Sequence, residues 1–182
     1  LAEVRAPFEG VSEQAFFQRL SWSPDGESLC ATNAQKSTRP VAAMLSRGVW
    51  TSTADLVGHK QPVVAARFCP NLFRPDGDGE EPSQYNSIVA IGGKDSVISV
   101  WTCGADRPLV VFRDSFTNAV SDLSWSRVRN DDGSSSGSLM LLGSSHDGSV
   151  CAFVFDEVRA DGFGWSVGAP ERRGARRQTS GA

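Results

Sequence analysis

One short unit occurs three times in this chain, and a repeat of that kind constrains the fold more than any single residue does. Each copy opens with a strand-like run that ends in an aromatic: Leu20-Ser21-Trp22-Ser23-Pro24-Asp25-Gly26, then Arg67-Phe68-Cys69-Pro70, then Leu123-Ser124-Trp125-Ser126. Downstream of the second and third copies come Gly, a turn Asp and an alternating strand, in Gly92-Gly93-Lys94-Asp95-Ser96-Val97-Ile98-Ser99-Val100-Trp101 and Gly143-Ser144-Ser145-His146-Asp147-Gly148-Ser149-Val150-Cys151-Ala152-Phe153. The aromatics Trp22, Phe68 and Trp125 stand 46 and 57 residues apart, the longer interval being explained by a loop insertion. A period of ~40–45 residues with four short strands per unit is the signature of WD-repeat propeller blades. Such a repeat favours a binding scaffold over an enzyme.

The expected fold is therefore all-β, a partial WD-repeat β-propeller of three to four blades, each of four antiparallel strands. A propeller removes its sheet edges only by closing a ring of about four to eight blades. Three units therefore read as part of a ring with two unpaired inter-blade faces, unable to fold cooperatively by itself. Val4-Arg5-Ala6-Pro7-Phe8 reads as the last edge strand of a preceding blade. The propeller is placed at residues 1–158, and residues 159–182 are read as an irregular or disordered basic tail, rich in arginine at Arg172-Arg173 and Arg176-Arg177.

Within the first unit, residues 16–22 read as the inner strand, Ser23-Pro24-Asp25-Gly26 as a hairpin turn, and Glu27 to Ala31 as the second strand. Asn33 to Arg39 reads as a polar loop, with Val41 to Leu45 and Trp50 to Leu56 as the outer strands. In the second unit, Val63 to Phe68, Ile88 to Ile91, Ser96 to Trp101 and Leu109 to Phe112 are the strands. The segment between Asn71 and Ser87 is expected as a mobile acidic excursion. The third unit takes Val120 to Trp125, Leu139 to Leu142 and Ser149 to Phe155, interrupted by the Ser/Gly/Asp-rich loop Asn130 to Ser138. Asp161 to Trp165 reads as a loop that packs one or two aromatics on the last blade.

Composition narrows the functional classes. A net charge of −3 gives no reason to expect a surface that coats nucleic acid. No apolar run approaches the ~18 residues of a membrane span. Cys30, Cys69, Cys103 and Cys151 are scattered without a Cys-x-x-Cys pair, which argues for reduced, partly buried thiols and against zinc. Asp76, Asp78, Glu80 and Glu81 lack the remaining ligands of a calcium loop and read as solvated acids. Neither a metal nor any other cofactor is expected.

Three residues of the second unit carry the polar pattern that locks a WD blade: His59 after Gly58, Asp95 in the tight turn and Trp101 on the third strand. A carboxylate-held imidazole also orients general bases. The repeat gives a structural reading instead: Asp95 accepts from His59, which relays to the Trp101 indole or a strand hydroxyl. Ile91 stands where a second-strand Ser or Thr is often found, so the network is expected to be partial. Ser145-His146-Asp147 is no catalytic triad, because a triad is assembled from separate segments. No catalytic residues are assigned. Lys60, Lys94 and Arg107 lie near turns and are candidates for contacts to acidic partner segments, against the plainer reading of solubilising charge.

The set Phe17-Gln18-Arg19-Leu20-Ser21-Trp22-Ser23-Pro24-Asp25-Gly26, Asp55-Leu56-Val57-Gly58-His59-Lys60, Lys94-Asp95-Ser96-Val97-Ile98-Ser99-Val100-Trp101, Arg107-Pro108-Leu109-Val110-Val111-Phe112, Ser121-Asp122-Leu123-Ser124-Trp125 and Asp147-Gly148-Ser149-Val150 resembles the later blades of the amino-terminal propeller in the HIRA/Hir histone-chaperone family. The resemblance covers roughly residues 4 to 156. It implies a non-enzymatic scaffold subunit of a nuclear complex that deposits histones H3–H4 independently of replication, with ubinuclein-like proteins bound through the propeller. The large chromatin-assembly-factor WD subunit is the nearest alternative, and a generic WD-repeat adaptor stands behind it. Gly58-His59 and Arg107-Pro108-Leu109-Val110-Val111 favour the Hir side, while the acidic insertion at 76–81 and the arginine tail depart from the pattern.

Overall fold

Apolar side chains at both parities of the central strands require cover on two sides, and the chain supplies it by stacking sheets. The computed structural model describes residues 2–11, 18–73, 85–129, 135–156 and 166–167. The first sheet contains β1 (Ser21–Trp22), β2 (Ser28–Lys36), β3 (Arg39–Ser46) and β4 (Ser52–Val57), paired in chain order. The second contains β5 (Val63–Phe73), β6 (Asn86–Gly93), β7 (Ile98–Thr102) and β8 (Val110–Phe112). The third contains β9 (Val120–Arg129), β10 (Ser135–Ser145), β11 (Val150–Asp156) and β12 (Ser166–Val167). All pairings within the sheets are antiparallel, so each sheet is one up-and-down blade. The fold is the all-β, partial WD-repeat propeller that the repeat implies.

Two apolar seams hold the blades together. Between the first and second lie Cys30, Ala42, Met44 and Leu56 against Val63, Phe68, Val89, Ile91 and Trp101. Between the second and third lie Ile88, Ala90, Ile98, Val100 and Phe112 against Val120, Leu139, Leu141, Phe153 and Phe155. The Phe112 and Phe153 rings are 4.1 Å apart between centroids, and Phe155 stacks between Phe112 and Trp125. Two close approaches need glycine. A Cβ on Gly92 would stand 2.5 Å from Val120 Cγ1, and one on Gly143 would stand 2.7 Å from Ile98 Cδ1.

The inner strands are also joined by polar contacts. Arg19 forms a parallel bridge with Ala65, and Phe68 N donates to Ser21 Oγ at 3.0 Å. Arg67 Nε donates to Leu123 O at 3.0 Å, while Trp125 Nε1 donates to Arg67 O at 2.9 Å. Asp122 accepts from both Arg19 and Arg67, at 3.3 and 3.2 Å, so one carboxylate of the third blade touches both preceding inner strands. These groups are about two-fifths exposed, which makes the ion pairs orienting contacts more than sources of stability.

Several boundaries differ from the sequence reading. Asn33 to Lys36 belong to β2, not to a polar loop: the ladder continues through Ala34↔Val41, Gln35↔Pro40 and Lys36↔Arg39, with only Ser37-Thr38 in the turn. A register step after Ala31, with Asn33 at φ 55°, realigns the strand, and its polar side chains do not prevent backbone pairing. Pro40 is tolerated because β4 pairs with β3 only from Val41 onward. The expected edge strand at Val4 to Phe8 is a single 3-10 turn over Ala6–Phe8. Pro7 lacks an amide hydrogen and has its φ fixed, and Phe8 N donates back to Arg5 O at 2.8 Å. Val4 and Phe8 pack on Ala31, Ala34, Val41, Ala43 and Leu45. β12 adds a fourth strand to the third blade from within 159–182. The acidic residues 76–81, the loop at 130–134, Asp161 to Trp165 and the arginines at 172–177 lie outside the described residues.

Candidate functional site

The turn between β6 and β7 brings Asp95 beneath the segment that leads into β5, and this places it against His59. His59 Nδ1 is 2.9 Å from Asp95 Oδ1, and His59 Nε2 is 3.1 Å from Ser99 Oγ. Trp101 Nε1 donates to the same Ser99 oxygen at 2.9 Å. Indole is a donor only, so the Ser99 hydroxyl accepts from Trp101 and donates to His59 Nε2 when the imidazole carries its proton on Nδ1. That assignment links the four side chains in one directed chain. The other Asp95 oxygen accepts from Lys60 N at 2.8 Å, which fastens the loop before β5 to the turn after β6.

The hydroxyl comes from the third strand, where residues 99 and 101 share a face of β7, and not from the second. Ile91, at the position where the sequence reading sought it, is fully buried in the seam with the first blade. Gly93 makes room for the pair, since a Cβ there would stand 2.3 Å from Asp95 Oδ1 and 2.5 Å from His59 Nδ1. The His59 side chain is 2% exposed and that of Asp95 9%. Burial pushes the Asp95 carboxyl up, yet the hydrogen bond and charge of His59 with the Lys60 and Val97 amides hold it below its ordinary value.

The third blade repeats half of this arrangement with other partners. Asp147 Oδ2 accepts from Thr117 N at 2.7 Å and from Thr117 Oγ1 at 3.1 Å, and Ser149 N donates to Asp147 Oδ1 at 2.9 Å. The hydroxyl of Ser149 and the amide of Thr117 hold its carboxyl well below the usual range. His146 is exposed, and its amide donates to Ala119 O at 2.9 Å. Thus His146 and Asp147 are turn residues, and Ser145 ends β10 with its Oγ donating to Asn118 O at 3.0 Å.

Lys60 and Lys94 flank the His59–Asp95 end of the second blade, where Lys94 N donates to Pro62 O at 2.9 Å. Arg107 lies in the β7–β8 connection at the opposite end of that sheet, so the three cations do not form one surface. Burial raises the thiols, Cys69 to about 11 and Cys103 to about 12, and Cys30 further still. Among the described residues no group of His, Cys, Asp and Glu is arranged for a metal ion, and no helix is long and apolar enough to cross a membrane.

Three stacked four-stranded blades with a His–Asp–Ser–Trp network define a segment of a WD-repeat β-propeller. No family model matches the chain. Individual proteins do: it is 41% identical over 157 residues to Protein HIR1 of Cryptococcus neoformans var. neoformans serotype D, covering 86% of this chain and 17% of that protein. It is 34% identical to Protein hir1 of Schizosaccharomyces pombe, over 85% of this chain and 15% of that one. Protein HIRA of Takifugu rubripes is 33% identical, over 86% of this chain and 15% of its own length. The chain belongs to the HIRA/Hir family, and it spans about one-sixth of the length of these relatives.

Proposed function

We propose that this chain is part of a non-catalytic scaffold subunit of a nuclear histone-chaperone complex that assembles nucleosomes independently of replication. Identity of 33–41% to HIR1 and HIRA proteins over most of the chain carries this reading. The architecture supports it physically. Stacked blades are rigid, and their turns and sheet edges present side chains to partner segments with little ordering cost. An ubinuclein-like subunit is the proposed direct partner, with histones H3–H4 reached through the complex. Lys60 and Lys94 at one end, and Arg107 at the other, are proposed as separate contacts to acidic segments.

The His59–Asp95–Ser99–Trp101 network is proposed to lock the second blade. An imidazole 2% exposed and bonded on both nitrogens has no free valence for a substrate. The test is affinity purification of the full-length protein from nuclear extract, followed by nucleosome assembly with the purified complex. Co-purification of H3–H4 with an ubinuclein-like subunit, and assembly in the absence of replication, is the expected result. Recovery of replication-coupled assembly factors in their place would assign the chain to the chromatin-assembly-factor relative. A set without histones would reduce it to a generic adaptor.

A further inference from the structure

The hairpin between β2 and β3 is built differently from its counterpart in the second blade. There the ladder stops at Gly92↔Ile98, and residues 94–97 form the turn that carries Asp95. In the first blade the ladder continues past its register step through Ala34↔Val41, Gln35↔Pro40 and Lys36↔Arg39. Only Ser37 and Thr38 remain to turn the chain, with Ser37 at φ 56° and Gln35 Nε2 donating to Ser37 O at 2.7 Å. The tip from Lys36 to Arg39 is exposed throughout. It borders a cleft of about 500 Å³ whose remaining lining is Val41 and Val57.

Position in the repeat separates this rim from the contacts between blades. Leu56 and Phe112 are equivalent, each a buried residue of an outer strand packed in the seam with the following blade. Val57 and Arg113 come next in their two blades. Arg113 is exposed although the first blade lies beside its sheet, so the place it shares with Val57 stays in solvent when a neighbouring blade is present. Val57 is 39% exposed there, an apolar side chain where the second blade carries a charge.

Charge at this end is unbalanced as well. Asp55 and Asp95, the acids that β4 and the β6–β7 turn bring to it, are both engaged. Asp55 Oδ2 is 2.9 Å from Lys36 Nζ and its Oδ1 accepts from Ser52 Oγ at 3.1 Å, while Asp95 is held by His59 and the Lys60 amide. The Arg39 guanidinium and the Lys60 ammonium, by contrast, meet no carboxylate among the described residues. Lys60 follows Val57 by three residues, a stretch of chain that spans at most about 11 Å. Two unanswered cations therefore flank an apolar floor.

We propose that this cleft docks an acidic segment of a partner protein in extended form, with one aliphatic side chain laid on Val57 and Val41 and flanking carboxylates on Arg39 and Lys60. Charge complementarity selects this occupant. A guanidinium with no carboxylate of its own takes one from the partner in two parallel hydrogen bonds, and the ammonium takes a second. The Ser37 and Thr38 hydroxyls at the mouth are donors for further carboxylate or backbone oxygens. The valines select against a purely charged ligand, because a polyanion alone would leave their apolar surface in water. The site rests in part on the reading of Lys60 as a contact to acidic segments, and it supplies that contact with a shape. It is independent of which complex the protein serves.

The test is fluorescence anisotropy of the full-length protein with a labelled synthetic peptide of glutamates around a central leucine, beside the same peptide with serine in the leucine's place. The leucine peptide is expected to bind tighter by about threefold or more, and Val57→Ser to remove that preference. Arg39→Glu is expected to weaken binding by about tenfold or more, with Arg39→Gln as the milder variant in the same direction. Arg127→Glu, a charge reversal beside Asn71 at the opposite end of the sheets, is expected to stay within about twofold. A loss at Lys60→Glu with none at Arg39→Glu or Val57→Ser would overturn the cleft and leave Lys60 as a contact. No loss at any of the three would overturn both readings. Equal losses at Arg39 and Arg127 would reduce the binding to general charge attraction and sink the site. Displacement of the peptide by a single-stranded oligonucleotide of equal charge would overturn it in favour of a nucleic-acid surface.

Discussion

Ser99 is the residue on which the polar network of the second blade turns, because its single oxygen serves both Trp101 and His59. Ser99→Ala leaves a buried indole N–H and a buried imidazole nitrogen unpaired, and is expected to cost about 1–3 kcal/mol, read by denaturant unfolding of the full-length protein. Asp95→Asn tests the charge. With a folded pKa below the unfolded one, Asp95 binds fewer protons in the folded state, so its contribution is complete above the unfolded value of about 4 and is lost as the pH falls toward the folded value. The variant is expected to lose stability at neutral pH and to show a flatter decline below about pH 4; an unchanged acid limb would exclude Asp95 as a contributor. Thr32→Val has the opposite sign. Thr32 is 1% exposed and its Oγ1 finds no partner among the described residues, so replacing the hydroxyl by methyl is expected to stabilise by roughly 1 kcal/mol. His59, Asp95 and Trp101 were legible from their places in the unit. Ser99 was not, because the expected hydroxyl position lies on the second strand, and only the packed sheet shows which hydroxyl reaches Nε2.

At the scale of the element, two glycines set how closely neighbouring blades approach, and they differ in what opposes them. A Cβ at position 92 meets Val120 at both Cγ1 and Cβ, a side chain stiff at χ1, whereas a Cβ at 143 meets the far end of Ile98. Gly92→Ala is therefore expected to cost about 1–3 kcal/mol and Gly143→Ala less, with thermal melts of the two variants giving the order. Equal costs would mean that Val120 moves as freely as the Ile98 terminus. Strand identity was legible from alternation, β-branched content and turn residues. Strand ends were less so: β2 runs to Lys36 and β5 to Phe73, beyond where the apolar pattern stops. Backbone pairing carries a hairpin past its core, and side-chain polarity does not record where that pairing ends. The converse holds at Ala6–Phe8, where a strand-like sequence with a proline and no ladder partner closes into a 3-10 turn.

For the whole molecule, the arithmetic of closure governs what the blades do. Each seam buries an apolar row on both sides, and a blade with one covered face keeps only part of that stabilisation. The full-length protein is expected to unfold with these blades as one cooperative unit, whereas residues 1–182 alone melt broadly. A sharp two-state melt of the monomeric 182-residue chain would show that its two seams suffice. What the sequence determined by itself is local and periodic: three units, their strands and turns, the His–Asp–Trp positions and the family to which the unit belongs. Those follow from side-chain period, turn chemistry and spacing, all of which are properties of neighbouring residues. Only the tertiary structure decided which hydroxyl completes the network, which glycines admit the next blade, that Asp122 collects two arginines from two other blades, and which apolar residues remain uncovered. Each of these depends on distances between residues far apart in the chain, and those distances are fixed only once the blades stack.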